Sequence, residues 1–268
     1  MSPKKSDDPQ EYIARKEYKK AIDLLREKLS KQPKNNSIRL SLADTLFADN
    51  QQAEAINEYR TLASQYTEEG FLVKGIAVYK KILKLRPDMR DVEELLEKLS
   101  DKRSDPPSGR KEVSAVEPTF EETASTEIES KLFRDLSQEE LRQVIDKLIL
   151  RHYEEDTIIV QEGDPGDSLF IVARGEVRVL TKDSKQKEVT LASLGEGEFF
   201  GEVSLLTGRP RTATIITNVD SDLLELKRLD FDVIIEQFPH VRQVLEDFHQ
   251  QRAYKTVEAM IQSFRSQN

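Results

Sequence analysis

Gly195-Glu196-Gly197-Glu198-Phe199-Phe200-Gly201-Glu202-Val203-Ser204-Leu205-Leu206-Thr207-Gly208-Arg209-Pro210-Arg211-Thr212-Ala213-Thr214 interrupts an otherwise alternating pattern, and its reading decides the C-terminal half of the chain. Gly201 frees the backbone for a close approach to a ligand. Residues 201–206 suit one helical turn whose first amides have no partner inside the helix and face an anion. Arg211, leaving Pro210 and entering a strand, is a planar two-pronged donor suited to phosphate. Glu202 is an acceptor, which suits a sugar hydroxyl and would repel phosphate. One Arg, one helix N-terminus and one carboxylate call for a ligand with both a phosphate and a hydroxyl, and a nucleotide has both.

Around this stretch the pattern has period two. Thr157-Ile158-Ile159-Val160, Ser168-Leu169-Phe170-Ile171-Val172, Glu176-Val177-Arg178-Val179-Leu180, Val189-Thr190-Leu191, Thr212-Ala213-Thr214-Ile215-Ile216 and Asp222-Leu223-Leu224-Glu225-Leu226 read as strands. Arg174-Gly175 and Asp183-Ser184-Lys185 supply short turns, so neighbouring strands are expected to pair antiparallel. So many short strands predict a small β-roll or jelly roll, flanked by helices over Ser137–Leu148 and Leu229–Ser266. Seven of the ten glycines fall between Gly163 and Gly208, and residues 1–69 have none, so the chain divides into a helical half and a turn-rich half.

Phe200-Gly201-Glu202 and Arg209-Pro210-Arg211-Thr212-Ala213-Thr214 closely resemble the phosphate-binding cassette of cyclic nucleotide-binding domains. Gly163, Gly166-Asp167 and Gly175 agree with the turns between that family's early strands, and the resemblance runs from about Leu132 to Tyr254. It implies that Arg211 binds the equatorial phosphate oxygen and Glu202 the ribose 2′-hydroxyl. The amides of Gly201, Val203 and Ala213 would serve the remaining acceptors. Ser204 stands where the family often has alanine, as a tolerated exchange or an added contact. Leu205 and Leu206 are expected to pack on the helices after Leu229. The family's last helix closes over the base, and its candidates here are Arg252 to Met260. A hydroxyl at Thr212 accompanies cGMP preference in some relatives. One neutral hydrogen bond is worth about 0.5–1.5 kcal/mol, which biases the choice without settling it. The reading favours cAMP, with cGMP as the alternative.

The helical half repeats. Ala21-Ile22 and Ala55-Ile56 are 34 residues apart, Leu25 and Tyr59 share the spacing, and Leu42, Ala43 and Leu46 precede the second set across an Asp49-Asn50-Gln51 turn. A unit of this length is a helix hairpin, and a small residue at the crossing lets its two helices approach. These residues resemble the tetratricopeptide repeat over about residues 11–100. Ala43 occupies the small position of the first helix, Ala21 and Ala55 that of the second, and Tyr59 the aromatic a turn later. Arg39 replaces the family's early tryptophan, and Thr67 replaces a closing proline; Pro33 and Pro87 close other units. Gly75-Ile76-Ala77-Val78-Tyr79 repeats the Ala55–Tyr59 pattern only 20 residues on, which suggests a missing or shortened helix. So short an array invites self-association or capping by a partner.

Charge and composition bound the function. Net charge is −9, divided as +2 over residues 1–105 and −11 over 106–268, so neither half is the basic surface that nucleic acid requires. There is no cysteine, and His152, His240 and His249 lie in separate elements, so no metal site is expected. No Ser/His/Asp set, Walker loop or kinase signature offers catalysis, and the expectation is a non-enzyme. No apolar run spans a membrane, and Met1–Gln10 lack a signal segment, so a cytoplasmic location is expected. A transcription factor would need a DNA-binding helix pair, for which the 14 residues after Tyr254 leave no room.

The expectation is therefore an α + β two-domain chain. A tetratricopeptide-like helical-hairpin domain covers 8–103, a Pro/Ser/Glu-rich flexible linker 104–130, and an antiparallel β-roll with flanking helices 131–268. A coil of 30 residues spans roughly 30 Å, so the two domains need not touch. Function would be cyclic nucleotide sensing, relayed to a protein partner on the repeats, with the helix from Leu229 also able to form a homodimer. The alternative is a scaffold in which Arg211 pairs with Glu202 or Glu198 and the roll no longer binds ligand.

Overall fold

The computed structural model describes residues 8–101, 131–182 and 188–251. The expected linker, the Asp183-Ser184-Lys185 turn and the Arg252–Met260 segment all lie outside the described residues.

Among the described residues, six helices come first: α1 (Pro9–Ala14), α2 (Tyr18–Lys31), α3 (Asn36–Ala48), α4 (Gln52–Glu68), α5 (Leu72–Leu85) and α6 (Arg90–Asp101). Asp8 and Asn35 cap α1 and α3 by accepting from Gln10 and Ile38 amides. α2 and α5 stop just before Pro33 and Pro87, and Asn50 turns the α3–α4 corner with φ 63°. Ala21, Ala43 and Ala55 are fully buried at the crossings beside Tyr59. Arg39, in the place of the tryptophan, ties α3 to α4 by polar means: it donates to Glu58 (2.6 Å), Gln65 (3.0 Å) and the Pro33 carbonyl (3.0 Å).

No helix is missing at the third unit. With no proline at Thr67, α4 runs on to Glu68, and α5 follows at once as a full 14-residue helix. Gly75 makes that closeness possible: a Cβ there would lie 2.6 Å from the Thr67 methyl and 3.5 Å from the Ala63 carbonyl.

After α7 (Lys131–Arg134), α8 (Gln138–Lys147) begins at a capping box. Ser137 Oγ accepts from the Glu140 amide (3.3 Å), and the Glu140 carboxylate accepts from the Ser137 amide (2.7 Å). Eight strands follow among the described residues: β1 (Ile149–Tyr153), β2 (Ile158–Val160), β3 (Ser168–Arg174), β4 (Val177–Lys182), β5 (Glu188–Leu194), β6 (Phe199–Phe200), β7 (Thr214–Thr217) and β8 (Ser221–Lys227). They form two antiparallel four-stranded sheets, ordered β1-β8-β3-β6 and β2-β7-β4-β5. β4 and β5 pair as expected, but β3 and β4 do not. Gly175 (φ 93°) instead carries the chain from one sheet to the other, and its α-carbon lies so close to Ser221 that a Cβ would stand 2.3 Å from the hydroxyl.

The helical stretch after β8 is also broken. α10 (Arg228–Gln237) ends at Phe238, and a new helix is described over 239–251. Pro239 supplies no amide to continue α10, and Phe238 before it leaves the helical region (φ −130°, ψ 77°).

The two halves touch along β3. β3 is buried on both faces. Phe170 and Val172 face the roll interior with Val177, Phe200, Ile215 and Leu223. Leu169, Ile171 and Ala173 face outward, into one continuous apolar cluster that includes Leu224 and Leu226, residues of α8 and α10, and the buried residues of the repeats. α5 lies along β1, β3 and β8, α6 packs on α8, and Lys80 Nζ donates to the Asp146 carbonyl (3.0 Å). The roll itself thus caps the short array.

Candidate functional site

β6 delivers the chain to Gly201, whose φ of 88° lies in the left-handed region where glycine is favoured. A Cβ there would come within 2.6 Å of both Arg211 Nη1 and the Ser168 carbonyl. What approaches this α-carbon is therefore the arginine and strand β3, a closer fit than ligand access alone would demand. α9 (Glu202–Thr207) starts at Gly201 and ends at Gly208 (φ 70°), whose amide returns to the Ser204 carbonyl at 3.0 Å.

Of the residues expected at the site, Glu202, Ser204 and Arg211 are buried, Gly201 and Val203 lie beside them half-buried, Ala213 is half-buried and Thr212 is exposed. Arg211 stands ahead of its strand, because β7 begins only at Thr214. Its backbone is fixed by bonds to the Asp164 carbonyl (2.8 Å) and from the Gly163 amide (2.9 Å). Its Nη1 donates to the carbonyls of Ser168 (2.7 Å) and Gly201 (3.2 Å). Burial disfavours the charged guanidinium and lowers its pKa, opposed by Asp167; Arg228 lowers it further, and Glu202 and Glu225 oppose that. Gly166 brings the β2–β3 loop against this cluster. A Cβ there would lie 2.3 Å from Ser204 Cβ and 2.9 Å from Arg211 Nε, so Ser204 sits packed against that loop.

Two supporting residues escaped the sequence reading. Glu225 on β8 accepts from Ser168 Oγ (3.0 Å) and Arg151 Nε (2.7 Å), bracing the residue whose carbonyl holds Arg211. Arg228, the first residue of α10, donates to the carbonyls of Leu205 (3.1 Å), Ser204 (2.6 Å) and Gly166 (2.9 Å), and its amide reaches the Asp167 carbonyl (2.6 Å). It locks the C-terminal end of α9 to the β2–β3 loop, where a cation suits the helix dipole. Leu205 and Leu206 meet the apolar cluster shared with α10 and the helix over 239–251, as expected. Arg242 adds a bond to the Leu206 carbonyl at 3.3 Å.

The histidines serve separate places: His152 pairs with Asp222 (2.8 Å) and His240 with Glu140 (3.2 Å). Among the described residues, no group of three or more metal-ligating side chains converges, and no helix is long and apolar enough to cross a membrane.

Residues 150–238 match the cyclic nucleotide-binding domain family, and residues 12–76 match the tetratricopeptide repeat. The chain carries a cyclic nucleotide-binding domain C-terminal to tetratricopeptide-like repeats. It is 38% identical over 112 residues to the cyclic AMP receptor protein of Thermus thermophilus, covering 42% of this chain and 52% of that protein. It is 33% identical over 132 residues to a cAMP-dependent protein kinase regulatory subunit of Candida albicans, covering 48% and 28%. Against a cGMP-dependent protein kinase of Drosophila melanogaster it is 34% identical over 119 residues, covering 43% and 13%. The chain thus spans about half, or less, of the length of these curated relatives, and each similarity is confined to less than half of this chain.

Proposed function

We propose that this chain is a non-catalytic cyclic nucleotide sensor, whose cyclic nucleotide-binding domain takes cAMP in preference to cGMP and whose repeats relay the bound state to a protein partner. One observation carries the reading: Arg211 is buried, yet its side-chain hydrogen bonds among the described residues go to two main-chain carbonyls and to no carboxylate. A buried cation without a bonded counter-ion is costly, and an anionic ligand offsets that cost. The same observation speaks against the scaffold alternative, which needs Arg211 bonded to Glu202 or Glu198.

In this reading Arg211 holds the equatorial phosphate oxygen and Glu202 the ribose 2′-hydroxyl. The amides of Gly201, Val203 and Ala213 complete the cradle, with Ser204 supporting α9 from within. cAMP is preferred because Thr212, whose hydroxyl favours guanine by one hydrogen bond, stands exposed, where water competes for it. Signalling requires the nucleotide to favour one of two arrangements of the chain, since equal affinity for both would shift nothing.

Thermal unfolding with cAMP, with cGMP and with neither tests this, repeated on Arg211→Ala. A nucleotide at a hundredfold excess over its Kd adds about 2.7 kcal/mol, a rise of several degrees for a chain of this size. The larger rise is expected with cAMP and none with either nucleotide in Arg211→Ala. Unchanged melting of the wild type with both nucleotides would sink the sensor reading.

A further inference from the structure

Among the described residues, one ion pair joins the repeats to the turn ahead of Gly201. Lys74 of α5 and Glu196, in the Gly195-Glu196-Gly197 turn, form an ion pair at 2.5 Å, with side chains only 20% and 28% exposed. Lys74 is held from behind as well, its ammonium lying 5.5 Å from the Tyr66 ring centroid and 5.0 Å from that of Phe71. A lysine fixed by two rings is an anchor with little rotamer freedom left to lose.

The turn it grips is the one that feeds the cassette. Gly197 (φ 82°) donates to the Val172 carbonyl (2.8 Å), and the Glu198 carbonyl accepts from the Val172 amide (2.8 Å), so the turn is clamped to β3. β6 continues that pairing, with Ile171 opposite Phe199 and Phe170 opposite Phe200. The next residue is Gly201. The two carbonyls that hold Arg211 belong to this same ribbon, one at Gly201 beyond β6 and the other at Ser168 where β3 begins. Five residues therefore separate Glu196 from Gly201, one of the two residues whose carbonyls orient the guanidinium.

We propose that Lys74–Glu196 is the coupling contact between the repeat domain and the nucleotide site, with Lys74 a positioning residue for nucleotide binding. The inference rests on the sensor reading given above. Coupling is reciprocal, so a partner that moves α5 alters nucleotide affinity by the same factor by which nucleotide alters the partner's.

The test is a charge-reversal cycle on the full chain, read as the Kd for cAMP by calorimetry together with the melting midpoint without nucleotide. Lys74→Glu and Glu196→Lys are each expected to weaken cAMP binding about five- to tenfold, and the double reversal to restore it within about twofold. Lys74→Arg should stay near wild type. Lys74→Gln, which removes the charge and shortens the side chain by one atom, should weaken binding about two- to threefold. A lower melting midpoint with an unchanged Kd in all these variants overturns the inference, since that is what a merely structural contact predicts. Failure of the double reversal to restore affinity overturns it too. A wild type that binds neither cAMP nor cGMP overturns the sensor reading and this inference with it, whereas binding by the wild type with unaltered Kd in the variants overturns the coupling alone.

Discussion

In the repeat array each helix packs on its neighbour in sequence, α2 on α3, α3 on α4, α4 on α5, and polar ties such as Arg39–Glu58 span 19 residues. In the roll the partners are remote: Arg211 finds the Ser168 carbonyl 43 residues away, and Arg151 finds Glu225 at 74. The array can gain order hairpin by hairpin, while the roll must close most of its loops before its contacts repay the entropy lost. β3 belongs to both regimes, because its inner face completes the roll and its outer face completes the array. The contrast between a local and a long-range half therefore does not make them independent.

The largest expected effect comes from cutting the two faces of that sheet separately. Leu169 faces the seam and Leu223 the roll interior, and both are fully buried. Each change to alanine should cost about 2–5 kcal/mol. Hydrogen exchange should separate them: Leu169→Ala loosens the amides of α5, whereas Leu223→Ala first loosens β3 and β4. Equal protection of α5 in both variants would mean that the array stands without the roll.

A smaller effect sharpens the local side of the comparison. Gly75→Ala gains helix propensity but drives a methyl into Thr67, for a net loss of about 1 kcal/mol. Thr67→Ser removes the opposing methyl, so the double variant should melt at or above the wild type. A loss that persists in the double variant would place the strain elsewhere.

The smallest effect concerns the start of α8. Burial works against ionisation of Glu140, but hydrogen bonds from the Ser137 amide and hydroxyl, and then from His240, outweigh it and hold its carboxyl below the usual 4.5. A depressed folded-state pKa contributes stability that is present above about pH 4.5 and fades as pH falls through the lower folded value. Glu140→Gln should be less stable than wild type at pH 7 and should converge on it in acid. Parallel pH profiles for the two proteins would discount the carboxylate.

Much of this was legible because its signals are short-range. Gly201 marks a turn and residues 201–206 the helical turn that follows it, and the helix read from Ser137 onward is α8 with Ser137 as its cap. The 34-residue spacing of Ala21 and Ala55 carries the hairpins, since close helix crossings need small side chains. β1 escaped notice because it follows α8 with no glycine or proline between them, and β6 because two residues cannot show a period. Arg228 and Glu225 carry no local signature, their partners being tens of residues away. The seam did leave one trace. Leu169-Phe170-Ile171-Val172-Ala173 is apolar at every position, whereas a strand wetted on one side alternates. The break at Phe238 was written in Pro239.

That break has a mechanical consequence. Arg228 fastens the near end of α10 to α9, and Arg242 fastens the following helix to the end of α9, so the joint at Phe238–Pro239 lies between two moorings on the same short helix. Residues 239–251 form a rod of about 20 Å at 1.5 Å per residue. Pivoting it by about 10° at the proline swings its far end by about 3 Å, roughly the reach of a hydrogen bond.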